Sequence, residues 1–159
     1  MTFKDALPGN EKMVLFLDFD GVLHPEPCYE KDRLFCCLPR LENSLIDFPF
    51  VDIVFSSTWR ETLTLPELRA LFSPSFAGRI IGVTPSWEDH QDLLENIGYQ
   101  RQAEIEAWLR VSGEPWRPWV AIDDKPYLFK PFLPNLIGYA LKVIRPHRGN
   151  FEKSRQLMC

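Results

Sequence analysis

Five short apolar runs, each ending abruptly in polar residues, constrain the fold of this chain more than any other feature. They are "MVLFLDFD" at 13–20, "VDIVFSST" at 51–58, "GRIIGVTP" at 78–85, "WVAIDD" at 119–124 and "LIGYALKVI" at 136–144. Runs of this length that stay apolar instead of alternating fit strands buried on both faces, as in a parallel sheet. Between them, "LPRLENSLIDF" at 38–48, "TLPELRALF" at 64–72 and "QRQAEIEAWLRVSG" at 100–113 read as helices. The last of these sets Ala103, Ile105, Ala107, Trp108 and Leu109 on an apolar face, with Gly113 as its stop. Strands alternating with helices at this spacing predict an α/β three-layer sandwich around a central parallel sheet of about five strands.

The chain has 159 residues, 45% of them hydrophobic and 25% charged, which fits one domain over 1–159 with a core of its own. No apolar run approaches the roughly 20 residues that span a bilayer, and "MTFKDALPGNEK" lacks the profile of a secretory signal. The expectation is a cytoplasmic protein without a membrane partner. Cys28, Cys36, Cys37 and Cys159 match neither a CxxC pair nor a secreted disulfide framework, so reduced thiols are expected. A net charge of -4 excludes a strongly basic nucleic-acid binder. The C-terminal segment 142–159 nevertheless gathers Lys142, Arg145, Arg148, Lys153 and Arg155 against Glu152 alone, and is either a phosphate-attracting patch or a solvated tail.

In parallel α/β sheets, sites form at the carboxyl ends of the strands. Three of the runs deliver oxygen-bearing side chains there: Asp18 and Asp20, then Ser56, Ser57 and Thr58, then Asp123 and Asp124. Taken singly, a DxDG is often a turn and a serine after a strand is often a helix cap. Together they are different, because carboxylates gathered without a counter-charge repel one another. Four aspartates at two strand ends imply a bound cation, and hard oxygen ligands favour Mg²⁺. The three histidines, His24, His90 and His147, share no ligand spacing.

The segments "FLDFDGVL", "IVFSSTWR" and "VAIDDKP" resemble, in that order, the first, second and fourth motifs of the haloacid dehalogenase (HAD) superfamily of phosphotransferases. More narrowly, "SSTWR", "RQAEIEAWL" and "WVAIDD" resemble the small HAD domains of bacterial RNA-repair proteins. The resemblance implies a Rossmann-like fold and a Mg²⁺-dependent phosphomonoesterase working through an aspartyl-phosphate. Asp18 would be the nucleophile and Asp20 the acid and base, with Asp20 also lending its main-chain carbonyl to the metal. Ser56 would hold a phosphoryl oxygen, with Ser57 as the alternative. Asp124, backed by Asp123, would complete the metal set, so that Asp18, Asp20, Asp123 and Asp124 are the expected metal residues. Gly21, Ser57, Arg60 and His24 form the expected substrate-binding set.

The chain departs from the family pattern at the third motif, normally a lysine near the helix before the fourth-motif strand. No lysine occurs between Lys31 and Lys125. Arg101 stands in the matching place, and Lys125 is the other candidate. The insert after the first motif has room for a small β-hairpin flap at about 24–37 and for no cap domain, and "SWEDHQDLLENIGYQ" at 86–100 reads as a polar loop overhanging the site. By analogy, a capless site suits a macromolecular phosphorylated substrate, such as a nucleic-acid end or a phosphoprotein. Other readings are a small-metabolite phosphatase and a degenerate or receiver-like domain that binds phosphate and Mg²⁺ for regulation. Against the receiver, the middle strand ends in Ser-Ser-Thr and the acidic pair comes on the fourth strand.

Overall fold

The computed structural model describes residues 12–138. The basic segment 142–159 and the end of the fifth apolar run lie outside the described residues. Five parallel strands, β1 (Met13–Leu17), β2 (Val51–Phe55), β3 (Ile80–Val83), β4 (Trp119–Asp123) and β5 (Leu136–Gly138), form one sheet in the order β3-β2-β1-β4-β5. β1, whose five residues are all buried, is the central strand. The Rossmann-like α/β expectation is met, with no added cap domain among the described residues.

Period-two alternation divides the sheet between two helical layers. Met13, Leu15 and Leu17 join Ile53 and Phe55 in a core with α1 (Leu38–Leu45), α2 (Leu65–Ala70) and α3 (Pro74–Ala77). Val14, Phe16, Val54 and Ala121 face the other way, against Ile105 and Leu109 of α5 (Gln100–Val111). The apolar runs are continuous because each strand must satisfy both layers at once.

Local chemistry sets the helix ends. α2 starts in a capping box in which the Thr64 hydroxyl accepts from Glu67 N–H and the Glu67 carboxylate accepts from Thr64 N–H. The Arg79 guanidinium donates to the carbonyls of Leu45, Phe48 and Val51, closing the end of α1 onto the start of β2.

Three expectations change. Residues 86–100 form a 3₁₀ turn (Trp87–His90) and α4 (Gln91–Ile97) instead of a loop. Leu93 of α4 packs on Ala103 and Ala107, so α5 is buried on a second face. Polar spacing hid this helix, because only Leu93 along it is buried. The hairpin flap is not formed: residues 24–37 hold an isolated Asp20–His24 bridge and a 3₁₀ turn at Lys31–Arg33. Pro25 and Pro27 lack N–H donors, and the Phe35 N–H donates to the His24 ring instead of a partner strand. Cys28 and Cys36 are free thiols as expected, whereas Cys37 is disulfide-bonded. Among the described residues no helix is long and apolar enough to cross a membrane.

Candidate active site at the carboxyl edge of the sheet

The register of the sheet builds the site. Leu17 aligns with Phe55 on one side and Ile122 on the other, and Phe55 aligns with Val83. One residue further on stand Asp18, Ser56, Asp123 and Thr84, all buried and all on the side that faces α5. The order across the edge is Thr84, Ser56, Asp18, Asp123.

Carboxylate oxygens of Asp18, Asp123 and Asp124 lie within 4.8 Å of one another. Gly21 makes this approach possible. Its φ of +72° is left-handed, and a Cβ there would lie 2.0 Å from Asp124 Oδ2. The Asp123 Oδ1 accepts from the Lys125 N–H at 2.8 Å, while Asp123 Oδ2 and Asp124 Oδ1 are buried without a hydrogen bond. Burial raises the pKa of Asp18 against the opposing pull of Arg101 and the Phe19 N–H, and the Asp124 and Asp20 charges push the same way as burial. Asp123 is raised to about 7, first by burial and then by the Asp18 charge. Asp124 is raised by burial, against the pull of Lys125. A divalent cation fits this donor set: clustered hard oxygens, two of them unpartnered, with the carboxylates held toward protonation even beside Arg101.

Arg101, on the first turn of α5, reaches into the cluster. Its Nε lies 3.3 Å from Asp123 Oδ2 and its Nη2 4.0 Å from Asp18 Oδ1, ion-pair distances that leave Nε and Nη1 without a hydrogen bond. Lys125 points elsewhere, pairing with both Glu26 oxygens at 3.0 and 3.1 Å. Burial works against its charge, but the Glu26 hydrogen bond and the nearby carboxylates outweigh that and raise its pKa. Of the two candidate cations, Arg101 is the one within ion-pair reach of the acidic group.

Ser56 Oγ is buried and unpartnered, whereas Ser57 Oγ caps the 3₁₀ turn Thr58–Glu61 by accepting from Trp59 N–H. Arg60 is engaged in protein contacts, donating to the Ser57 carbonyl and, at 2.9 Å, to Glu104 Oε1. Asp20 stands apart from the three-carboxylate group. Its Oδ1 accepts from His24 Nε2 at 2.9 Å and from Trp59 Nε1 at 3.1 Å.

Sequence reasoning missed Glu104, Trp59 and Thr84. Glu104 is 1% exposed and sits between two guanidiniums, with Arg60 on Oε1 and Arg101 Nη1 3.7 Å from Oε2. Burial raises its pKa, and Arg60 and Arg101 oppose that rise. Its signal was a carboxylate flanked by Ala103 and Ile105 on the apolar face of a helix. Trp59 falls within "SSTWR", where nothing in the local pattern gives the indole a role. The Thr84 hydroxyl, buried and unpartnered like that of Ser56, is visible only through the strand register.

The family model described as "HAD domain in Swiss Army Knife RNA repair proteins" matches residues 14–142. No curated protein and no solved structure matches the chain.

Proposed function

Because the chain belongs to the family of HAD domains in Swiss Army Knife RNA repair proteins, whose function is phosphate-related, we propose that it is a Mg²⁺-dependent phosphomonoesterase working through an aspartyl-phosphate. The observation that carries this reading is the buried Asp18–Asp123–Asp124 group with Arg101 at ion-pair distance, on the strand edge where such folds act.

Asp18 attacks phosphorus in line, forming an Asp18–phosphorus bond as the bond to the leaving oxygen breaks. Asp20 gives its proton to that oxygen, then takes one from the water that hydrolyses the acyl phosphate. The Arg101 guanidinium and the Ser56 hydroxyl bind the non-bridging phosphoryl oxygens, which gives both orphaned groups a partner. Asp18, Asp124 and Asp123, with the main-chain carbonyl of Asp20, would hold Mg²⁺, which when bound would offset the carboxylate charge and supply positive charge to the phosphoryl group. Chain order and the buried arginine favour this reading over a receiver-like domain.

The test is hydrolysis of an aryl phosphate with and without Mg²⁺ by the wild type and by Asp18→Asn, both checked for fold by circular dichroism. We expect Mg²⁺-dependent turnover in the wild type and none in the variant. A folded wild type that neither turns over any phosphomonoester nor binds Mg²⁺ removes the enzymatic reading. Turnover of 3′-phosphorylated and 5′-phosphorylated oligonucleotides against a phosphopeptide and a sugar phosphate ranks the substrate classes. A preference for the oligonucleotides supports a nucleic-acid end as substrate, in keeping with the repair context of the family.

A further inference from the structure

Two side chains from different elements converge on a single oxygen of Asp20. His24 Nε2 lies 2.9 Å from Oδ1, and Trp59 Nε1 donates to the same atom at 3.1 Å. The His24 ring is 1% exposed, and its Nδ1 accepts from the Phe35 N–H at 3.4 Å. An accepting Nδ1 leaves the ring proton on Nε2, so His24 is a donor to Asp20. The Trp59 indole is itself held edge-on by Phe35 at 5.1 Å and His24 at 5.7 Å, and leans on Phe19 at 6.0 Å. Phe19 lies between the two aspartates in sequence and is fully buried. Asp20 is thus fixed by a rigid aromatic box, while its side chain remains 28% exposed on the open side.

Two donors occupy the lone pairs of Oδ1, and Oδ2 has no hydrogen-bond partner among the described residues. The carboxyl group is therefore oriented with one oxygen committed to the protein and one left to act. We propose that His24 and Trp59 are positioning residues that hold Asp20 so that Oδ2 delivers its proton to the leaving oxygen, and that the site is built for phosphate esters of alcohols, such as sugar hydroxyls. This rests on the reading of Asp20 as the general acid. An alkoxide is a poor leaving group and must be protonated as the P–O bond breaks, whereas 4-nitrophenolate departs without help. In this leaving-group step, orienting the acid is useful only for the former. In the step itself the Asp18–phosphorus bond forms, the ester P–O bond breaks, and the Oδ2 proton moves to the departing oxygen, leaving Asp20 as a carboxylate to accept the proton of the hydrolytic water.

The experiment compares kcat/KM, which covers only the steps through departure of the leaving group, for an alkyl phosphate and for 4-nitrophenyl phosphate in the wild type, Trp59→Phe, His24→Gln and His24→Leu, with Mg²⁺ present. Trp59→Phe keeps an aromatic ring in the box and removes the indole N–H along with part of the indole. We expect its ratio of alkyl to nitrophenyl turnover to fall about tenfold or more, the scale of one hydrogen bond to an ionisable group. His24→Gln, which retains a donor at the Nε2 position, is expected to hold the ratio closer to wild type than His24→Leu does. If Trp59→Phe folds and lowers both substrates in equal proportion, or neither, the positioning role is overturned while the phosphatase reading stands. If the wild type hydrolyses neither substrate, both fall together. Should His24→Leu misfold, the turnover ratios of Trp59→Phe and His24→Gln decide between the outcomes.

Discussion

Arg101 stands between Asp18 and Asp123, 4.0 Å from one carboxylate through Nη2 and 3.3 Å from the other through Nε. An arginine in this position is always charged, and its planar fork can serve two acceptors where a lysine serves as a point charge. Replacing it with methionine leaves the buried carboxylates without their cation. Arg101→Met should lower kcat/KM for an aryl phosphate by about 100-fold or more, and Arg101→Lys should recover part of that loss. Steady-state kinetics at saturating Mg²⁺ check this, and an Arg101→Met enzyme within about threefold of wild type would remove Arg101 from the machinery.

Glu104 is the counter-ion that lets two arginines share the interior. Its Oε1 accepts from Arg60 Nη2 at 2.9 Å and from Trp87 N–H at 3.3 Å. Glu104→Ala leaves the buried Arg60 guanidinium without a carboxylate and takes one of three from Arg101, and should destabilise the fold by about 3 kcal/mol in urea unfolding. Glu104→Gln keeps an acceptor for Arg60 and Trp87 and should cost less. A Glu104→Ala protein as stable as wild type would mean that water already carries these charges.

Stability of the metal-free protein should depend on pH through Asp123. Its folded-state pKa is raised from 3.8 to about 7, first by burial and then by Asp18. The folded state therefore binds more protons than the unfolded one between those values, so this contribution is full below about pH 4 and is lost as pH rises through about 7. Mg²⁺ favours the deprotonated group and acts in the opposite sense. Thermal melts with EDTA and with Mg²⁺ at pH 5 and pH 8 should show a larger Mg²⁺-dependent gain in Tm at pH 8. An equal gain at both values would separate the cation from these carboxylates.

The sheet and its carboxyl edge were legible because they depend on short-range pattern. A strand such as Met13–Leu17, buried on both faces, can be only apolar, and Asp18 and Asp123 interrupt that run where the strand ends. What sequence did not display is what depends on a long-range partner. Glu104 meets Arg60 across 44 residues and Trp59 meets Asp20 across 39, and no local spacing encodes either. α4 was hidden for a related reason: it covers α5 and not the sheet, so a single buried leucine suffices and its apolar period is faint. Between Ser56 and Ser57, open in the sequence, the structure adds one difference: Ser57 Oγ accepts from Trp59 N–H, and Ser56 Oγ is buried without a hydrogen bond.

Gly21 and Gly98 separate backbone strain from a clash at the site. Both have left-handed φ, +72° and +76°, so an alanine at either position is strained by roughly 1–2 kcal/mol. They differ in what the new methyl group meets: nothing within 4 Å at Gly98, but Asp124 Oδ2 at 2.0 Å and Asp124 Cγ at 2.4 Å at Gly21. Gly98→Ala should therefore lower stability and leave the Mg²⁺-dependent gain in Tm intact. Gly21→Ala must push Asp124 out of the three-carboxylate group, so that gain should vanish and aryl phosphate turnover with it. If the two variants respond to Mg²⁺ alike, Asp124 does not hold the cation, and the glycine after the first motif serves the turn alone.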